Sequence, residues 1–545
     1  MEGIERFWPE WLEALLVVAA LLMADRKWGW WGRALESAGR ALDGIARRRA
    51  LAILLAGVFP VAVRVGLLDV MSIPEPAIHD EYSYLLSADT FAHGRLANPP
   101  QAMWEHLETF HVLQHPTYAS MEPPGPGLFL AAGQVVFGHP WFGVCLSMGL
   151  LCAAICWMLQ QWFSAGWALA GALLAGVRWG ILSYWTNSYW GGAVAAIGGV
   201  LVLGACGAIL NARRPRAALV LGVGWCLLVV SRPAEGLLMS IPVVICLAPR
   251  WRRVALPAGA VLALGLACLG YYNWRVTGKP WVLPHQLNRA EYAVVPYFLW
   301  QQERPAPVYR HEAMRDFYVH FEAGFAQQTK AHPWRRIAQM LQSYWRFFLG
   351  PALTIPFAAG IWSVRGDPRL RVVVAALLAP WLSHLITASG LLLHYEAPCL
   401  GALLILVVAG LRGFGSVSFS RTVPLICVAM LVVAICAWPL DALPKSVPYY
   451  AWYTKSYGNA ERAAILNDLA SRGGKHLVIV QYLPGHDPIQ EWVFNTADLD
   501  RTAVVWARDM GAEKNAELIR YFADRTAWMV APDQDALGLK PYPHR

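Results

Sequence analysis

The chain has 545 residues, of which 57% are apolar and only 15% charged. Apolar runs near membrane-spanning length recur along most of it, more than a soluble core can hide, so the composition describes a mainly α, polytopic membrane protein and excludes a large globular enzyme. The formal charge of +9 is carried by short Lys/Arg clusters between the apolar runs. Loops facing anionic lipid look like this, and no nucleic-acid partner is implied.

In chain order, the spans are expected at Trp11–Ala24, Ala50–Met71, Trp141–Phe163, Gly166–Tyr184, Trp190–Leu210, Ala217–Ser231, Gly236–Ala248, Val254–Tyr272, Tyr344–Val364, Arg371–Ser389, Leu393–Leu411 and Thr422–Leu440. The Gly-rich run Gly125–Phe137 is too short for a span and reads as an interfacial helix. Acids precede the first run and no small-residue cleavage site follows it, so no cleaved signal peptide is expected. The first run is short, and whether it spans is open.

Basic clusters set the orientation. Arg26–Arg49, Arg213 to Arg216, Arg250 to Arg253, Arg365 to Arg371, and Arg412 with Arg421 all fall on one side of this span list. That agreement supports a count of about twelve and places those loops in the cytoplasm. Three long segments then lie outside: residues 72–140, residues 275–343 and the tail 441–545. The first is strongly acidic, with Arg95 as its lone Lys or Arg. The chain therefore divides into a first span with a basic segment (1–49), a transmembrane module (50–440) and an outer domain (441–545). In that tail, "KHLVIV", "TAVVWA" and "TAWMVA" read as short buried strands. "ERAAILNDLASRG" and "AEKNAELIRYFAD" read as helices, giving a small α/β domain without a phosphate-binding loop. The ten cysteines sit in or beside apolar runs with no CxxC spacing and read as buried thiols.

"HDEYSYLLSADTFAHG", residues 79–94, opens the first outer segment. Pro74 and Pro76 end the preceding span, and a short helix fits Asp80 to His93 with Gly94 closing it. Asp80 then reads either as an N-cap, with Ser83 at the third helical position, or as a functional carboxylate. Consecutive helical residues point about 100° apart, so Asp80 and Glu81 cannot both face one substrate. Further along, "WEHLETFHVLQH" sets His111 and His115 at helical i, i+4 spacing, which a metal site could use, although interfacial histidines fit as well. Arg178 is expected a turn or two inside a span. A charge there is costly, so it either serves the function or pairs with an acid elsewhere in the chain.

The order of these motifs resembles the GT-C superfamily of membrane glycosyltransferases, in particular the protein O-mannosyltransferase and aminoarabinose-transferase-like group. An Asp-Glu pair opens a long outer loop after an early span. "MEPPGPGLFLAAGQVVFGHPWFGVCLS" resembles the family's Pro-Pro helix and "FG" turn. "SRPAEG" (231–236) resembles its Arg-Pro element, and "LLHYEAPCLGALLILV" its His-Tyr-x-x-Pro span start. The likeness covers roughly residues 50–440. The second outer loop, "SYWTNSYWGG", departs from the pattern: it lacks the acid many relatives carry, with Asn187 the nearest polar substitute. The tail is outside the family core.

The resemblance implies an inverting transfer of a sugar from a polyprenyl-phosphate donor to an acceptor hydroxyl of a glycan, lipid or protein. This would occur at the outer face of a bacterial inner membrane. It implies Asp80 as general base with Glu81 in support. Arg232, Glu235, His394, Tyr395, Arg178 and Asn187 would be the donor- or phosphate-binding candidates. No cofactor is implied as required, while His111 and His115 leave a divalent metal open. A secondary transporter or an accessory subunit of envelope polysaccharide assembly are the alternatives. The sequence shows neither paired repeats nor matched broken helices for the former.

Overall fold

The computed structural model describes residues 2–23, 29–211, 216–388, 392–413, 417–444, 451–453 and 458–543. Arg26, Arg213 and Arg214 of the expected basic clusters lie outside the described residues. Within them, seven segments are long and apolar enough to cross a membrane: 49–66, 141–162, 193–210, 233–277, 333–365, 393–413 and 419–437. Three shorter apolar helices, Pro124–Phe137, Ala217–Val229 and Leu370–Ser383, join them. The chain is a multi-pass membrane protein. The expected count of about twelve is not reproduced as twelve separate long helices. Two expected spans run together in 233–277, joined by the short 3₁₀ turn Ala248–Arg250. The expected span Gly166–Tyr184 is helical only over Ala165–Trp179, after which "SYWTNSYWGG" folds as irregular chain.

Small residues set the helix spacing. The Gly350–Trp362 and Leu400–Gly413 helices approach so closely that a Cβ on Gly360 would collide with the Leu406 carbonyl, and one on Gly410 with that of Pro356. In lipid, where apolar surfaces gain little by meeting each other, such backbone proximity supplies the packing attraction. The interfacial reading of Gly125–Phe137 becomes a helix, Pro124–Phe137, with Gly138 in the left-handed region at its end. This helix packs on the first-loop helix His79–Ala92.

The first apolar run is helical over Glu2–Leu22 and is bound to the bundle by charge. Arg178 and Glu13 pair at 3.0 Å with about 1% of either side chain exposed. Arg178 also donates to the Leu349 carbonyl and lies over Trp452, while Glu13 accepts from the Ala352 amide. Arg346 pairs with Glu10 one turn earlier, at 2.7 Å. The expectation that Arg178 serves donor phosphate is corrected here. Its charge is balanced inside the protein by the acid partner it needs for burial.

The tail forms a four-stranded sheet in the order β4–β3–β5–β6, with β3 (His476–Val480), β4 (Val504–Arg508), β5 (Thr526–Ala531) and β6 (Asp535–Pro541). β3 runs parallel to β4 and β5, and β6 is antiparallel to β5. Alternate residues of β3 bury both faces. Val478 and Val480 meet the Ala460–Arg472 helix, and Leu477 and Ile479 meet the Ala512–Tyr521 helix. β6 was not among the expected strands. Its run Asp-Ala-Leu-Gly-Leu-Lys-Pro lies at a half-exposed edge and has neither strict alternation nor a continuous buried stretch, so it gives a weaker signal. The outer segment contributes a two-stranded ribbon, β1 (Val112–Leu113) with β2 (Ala119–Ser120).

Removing one member of a buried pair strands the other's charge. Glu13→Gln or Arg178→Gln should each destabilise the detergent-solubilised protein by about 3–5 kcal/mol. The double variant should cost clearly less than the sum, as thermal unfolding of all three would show.

Candidate functional site at the first outer loop

The first-loop helix starts at His79, with Ile78 as its N-cap. Asp80 is therefore the second helical residue, and the reading of Asp80 as N-cap is corrected. Glu81, at the third position, does the capping. Its Oε2 accepts from the Ala77 and Ile78 amides at 2.7 and 3.3 Å. Its Oε1 accepts from the Tyr189 amide, 2.9 Å away in the second outer loop. Glu81 is 1% exposed, and burial pushes its carboxyl up to about 7 against the pull of these amides. Glu81 is thus a positioning residue that ties the two outer loops together, and its oxygens are taken up by backbone amides.

Asp80 points the other way, as the helix geometry requires. Its Oδ1 lies 3.0 Å from His111 Nδ1 and its Oδ2 3.6 Å from His79 Nε2. Burial alone would raise this carboxyl, but His111 and His79 beside it hold it well below the usual carboxylate range. It is an ionised carboxylate whose side chain keeps 19% of its surface open. His111 lies 3.6 Å from Glu122. Burial pushes Glu122 up to about 7, with the Asp80 charge adding to the rise and Arg232 opposing it. Burial and the neighbouring His111 lower His79 to about 4.

His111 is not helical. The helix in this stretch is only Trp104–Leu107, and His111 sits in the left-handed region at φ 59°. Its carbonyl accepts from Ser83 Oγ at 2.6 Å and the Met121 amide at 3.0 Å, which hold it there. A non-glycine residue in this region carries a conformational cost and marks a position the surroundings over-determine. The expected i, i+4 partnership of His111 and His115 is thereby corrected. His115 packs edge-on against Trp104, away from this group. Instead His79, Asp80 and His111 bring three ligand atoms within 4.8 Å of one another. His79 Nδ1 is buried without a hydrogen-bond partner. Two imidazole nitrogens and a carboxylate suit a divalent transition-metal ion.

Arg232 is the N-cap residue of the Pro233–Leu247 helix, and its guanidinium lies 4.3 Å over the Tyr395 ring. Among the described residues no acid lies within ion-pair distance of it, Glu235 in the next turn included. Tyr84 and Glu122 each feel the charges of both Arg232 and Asp80. His394 is buried, with Nδ1 3.3 Å from the Tyr184 hydroxyl and its ring 4.7 Å from that of Trp190. Asn187 is used internally. It accepts from Arg64 Nε at 2.8 Å and donates to the Ile181 and Ser183 carbonyls. The Arg64 guanidinium also donates to the Met71 and Ser72 carbonyls, clamping the entry to the first outer loop. Asn187 therefore belongs to the scaffold, which corrects its expected contact with the donor.

His79, Tyr84 and Glu122 were absent from the expected site. Glu122 is 42 positions from Asp80 in sequence, so no local spacing links them. Only the acid-rich, histidine-rich composition of the loop pointed there. Phe317 was also missed. It lies on a π-helical stretch, Asp316–Glu322, and sets its ring 5.0 Å from His79 and 6.0 Å from His111.

The sequence matches no protein-family model and none of the curated proteins. Solved structures do match. ArnT from Cupriavidus metallidurans bound to undecaprenyl phosphate aligns with TM-score 0.50 and 15% identity, over 88% of this chain and 93% of that one. The oligosaccharyltransferase of Archaeoglobus fulgidus tethered to an acceptor peptide aligns with TM-score 0.47 and 10% identity, over 88% and 68%. At this identity the likeness to ArnT establishes the architecture: the chain has the GT-C glycosyltransferase fold. The small α/β domain completes it at the C-terminus.

Glu81 and Glu122 favour the neutral form when buried, so folding takes up protons between their ordinary value near 4.5 and about 7. Their contribution to stability is complete below that window and is lost as pH rises through it. The thermal midpoint should fall across the window, and Glu122→Gln should remove part of that slope.

Proposed function

We propose that the protein transfers a sugar from a polyprenyl-phosphate donor to an acceptor hydroxyl, with inversion, at the outer face of a bacterial cytoplasmic membrane. The observation that carries this reading is a partly open Asp80 carboxylate beside two histidines, and an Arg232 with no acid in ion-pair reach among the described residues, whose charges both act on Tyr84 and Glu122. The Arg232 guanidinium offers a fork of donors to the phosphate, the N-terminus of its helix adds a favourable field, and Tyr395 orients the fork from below. Glu235, in the first turn of that helix, faces the same neighbourhood and is a candidate for a sugar hydroxyl.

In the reaction, the acceptor oxygen bonds to the anomeric carbon as its O–H breaks. The bond from that carbon to the phosphate oxygen breaks, and polyprenyl phosphate leaves. Asp80 takes the proton, and His111 steadies the carboxylate before and after. The low proton affinity of Asp80 keeps it ionised and ready, at a cost in driving force. Attack from the face opposite the phosphate inverts the anomeric centre. The ArnT structure holds undecaprenyl phosphate, which supports a lipid-phosphate donor here. The orientation rests on the basic clusters, which put the first outer loop and the tail outside.

Charge balance by Arg232 allows the transfer to run without a metal. His79, Asp80 and His111 would be the residues to hold a divalent cation, which would supply electrostatic stabilisation at the same carboxylate.

Purified protein in liposomes, given radiolabelled polyprenyl-phosphate sugars and membrane extracts as acceptor, should release polyprenyl phosphate. Asp80→Asn should lower the rate by roughly 100- to 10,000-fold with donor binding retained. Full activity in that variant would remove Asp80 as base. Chelation with EDTA should leave the wild-type rate within twofold. A loss restored by zinc would assign the His79–Asp80–His111 group to a metal.

A further inference from the structure

Away from the catalytic group, a cavity of about 180 Å³ opens where the tail domain meets the second outer segment. Its walls include His311 and Asp316 from the outer segment, and Gln481, His486, Arg508 and Asp509 from the domain. It lies at the carboxyl ends of the parallel strands β3 and β4, the edge where open α/β sheets place ligands.

His486 is 8% exposed, and its Nε2 is buried with no hydrogen-bond partner. The other ring nitrogen, Nδ1, lies 2.7 Å from Asp533 Oδ1. A carboxylate only accepts, so Nδ1 carries a proton, and in the neutral ring Nε2 then presents a lone pair. The Tyr482 ring stacks 3.8 Å from the imidazole and holds its plane. Asp316 and Asp509 add further acceptors. Arg508 supplies no free charge, because it is paired with Glu491 and bonded to the Glu108 carbonyl. The lining therefore asks for a ligand with several hydrogen-bond donors. Its acids and histidines do not converge as metal ligands: among the described residues the group that does so is His79–Asp80–His111. The volume is room for several waters and suits one pyranose ring.

The cavity is joined to the catalytic group through two aromatic side chains. Asp316 lines it, and the next residue, Phe317, touches His79. The Arg508 guanidinium lies 6.0 Å from the centre of the Phe110 ring, whose own centre is 5.8 Å from that of His79.

We infer that this cavity binds one sugar unit of a glycan acceptor, with His486 Nε2 accepting a hydroxyl and Asp316 and Asp509 taking others. The assignment of that sugar to the acceptor rests on the glycosyltransferase reading; the binding itself does not. Saturation-transfer NMR on the full-length protein in detergent, with the methyl α-glycosides of glucose, mannose and galactose as probes, tests it. At least one should bind in the millimolar range. His486→Phe, which keeps the stacking but removes Nε2, should weaken it at least tenfold. Asp316→Asn should also weaken it, and thermal unfolding would confirm that both variants fold. Binding of none of the three, or binding that survives both substitutions, overturns the proposal. Donor turnover is measured separately. Sugar binding without turnover keeps the cavity and removes the enzyme reading, and turnover with no sugar bound does the reverse.

Discussion

The Glu81 carboxylate is the hinge pin of the outer site. Three backbone amides from two segments more than 100 residues apart in sequence converge on its two oxygens. A buried carboxylate is costly without donors, and these are what the start of a helix leaves unpaired. By meeting that need Glu81 fixes where the first-loop helix begins. It also anchors the irregular loop after Trp179, through the Tyr189 amide. Tyr189 returns the contact by donating its hydroxyl to the Pro74 carbonyl. With the helix start fixed, Asp80 must face the histidines. The helical screw then allows it no competing direction.

The same rule governs the other buried charges. Arg178 finds Glu13, Arg346 finds Glu10, and Arg64 finds three oxygens, none of them charged. Each of these arginines is 3% exposed or less. Arg232 is held differently, with an aromatic face and a helix start around it and, among the described residues, no acid in ion-pair reach.

The tail domain is built against the first long loop segment. Ala497 donates its amide to Asp89 at 2.8 Å, Tyr118 donates to the Asn495 carbonyl, and Phe494 stacks on Tyr82 at 4.4 Å. Leu107 of the first outer loop is part of the apolar core beneath the sheet. Through these contacts the domain braces the helix that carries Asp80 and closes one wall of the cavity near His486.

By itself the sequence determined the membrane class, the run of apolar helices, the small α/β tail and the separation of Asp80 from Glu81. All of these follow from composition or from local periodicity, which one stretch of chain contains completely. Only the tertiary structure decided what each charge is for. Arg178 and Asn187 carry the same side chains whether they bind a donor or hold the scaffold; Glu13 and Arg64 settle the matter from distant positions. His111 looked helical because its spacing to His115 fits a helix. The carbonyl contacts from Ser83 and Met121 instead hold its backbone left-handed and turn its ring to Asp80. Glu122 joined the site because β1 and β2 fold the loop back on itself. Pairing across such distances depends on which backbone groups and charges would otherwise be buried alone, and that is a property of the packed chain.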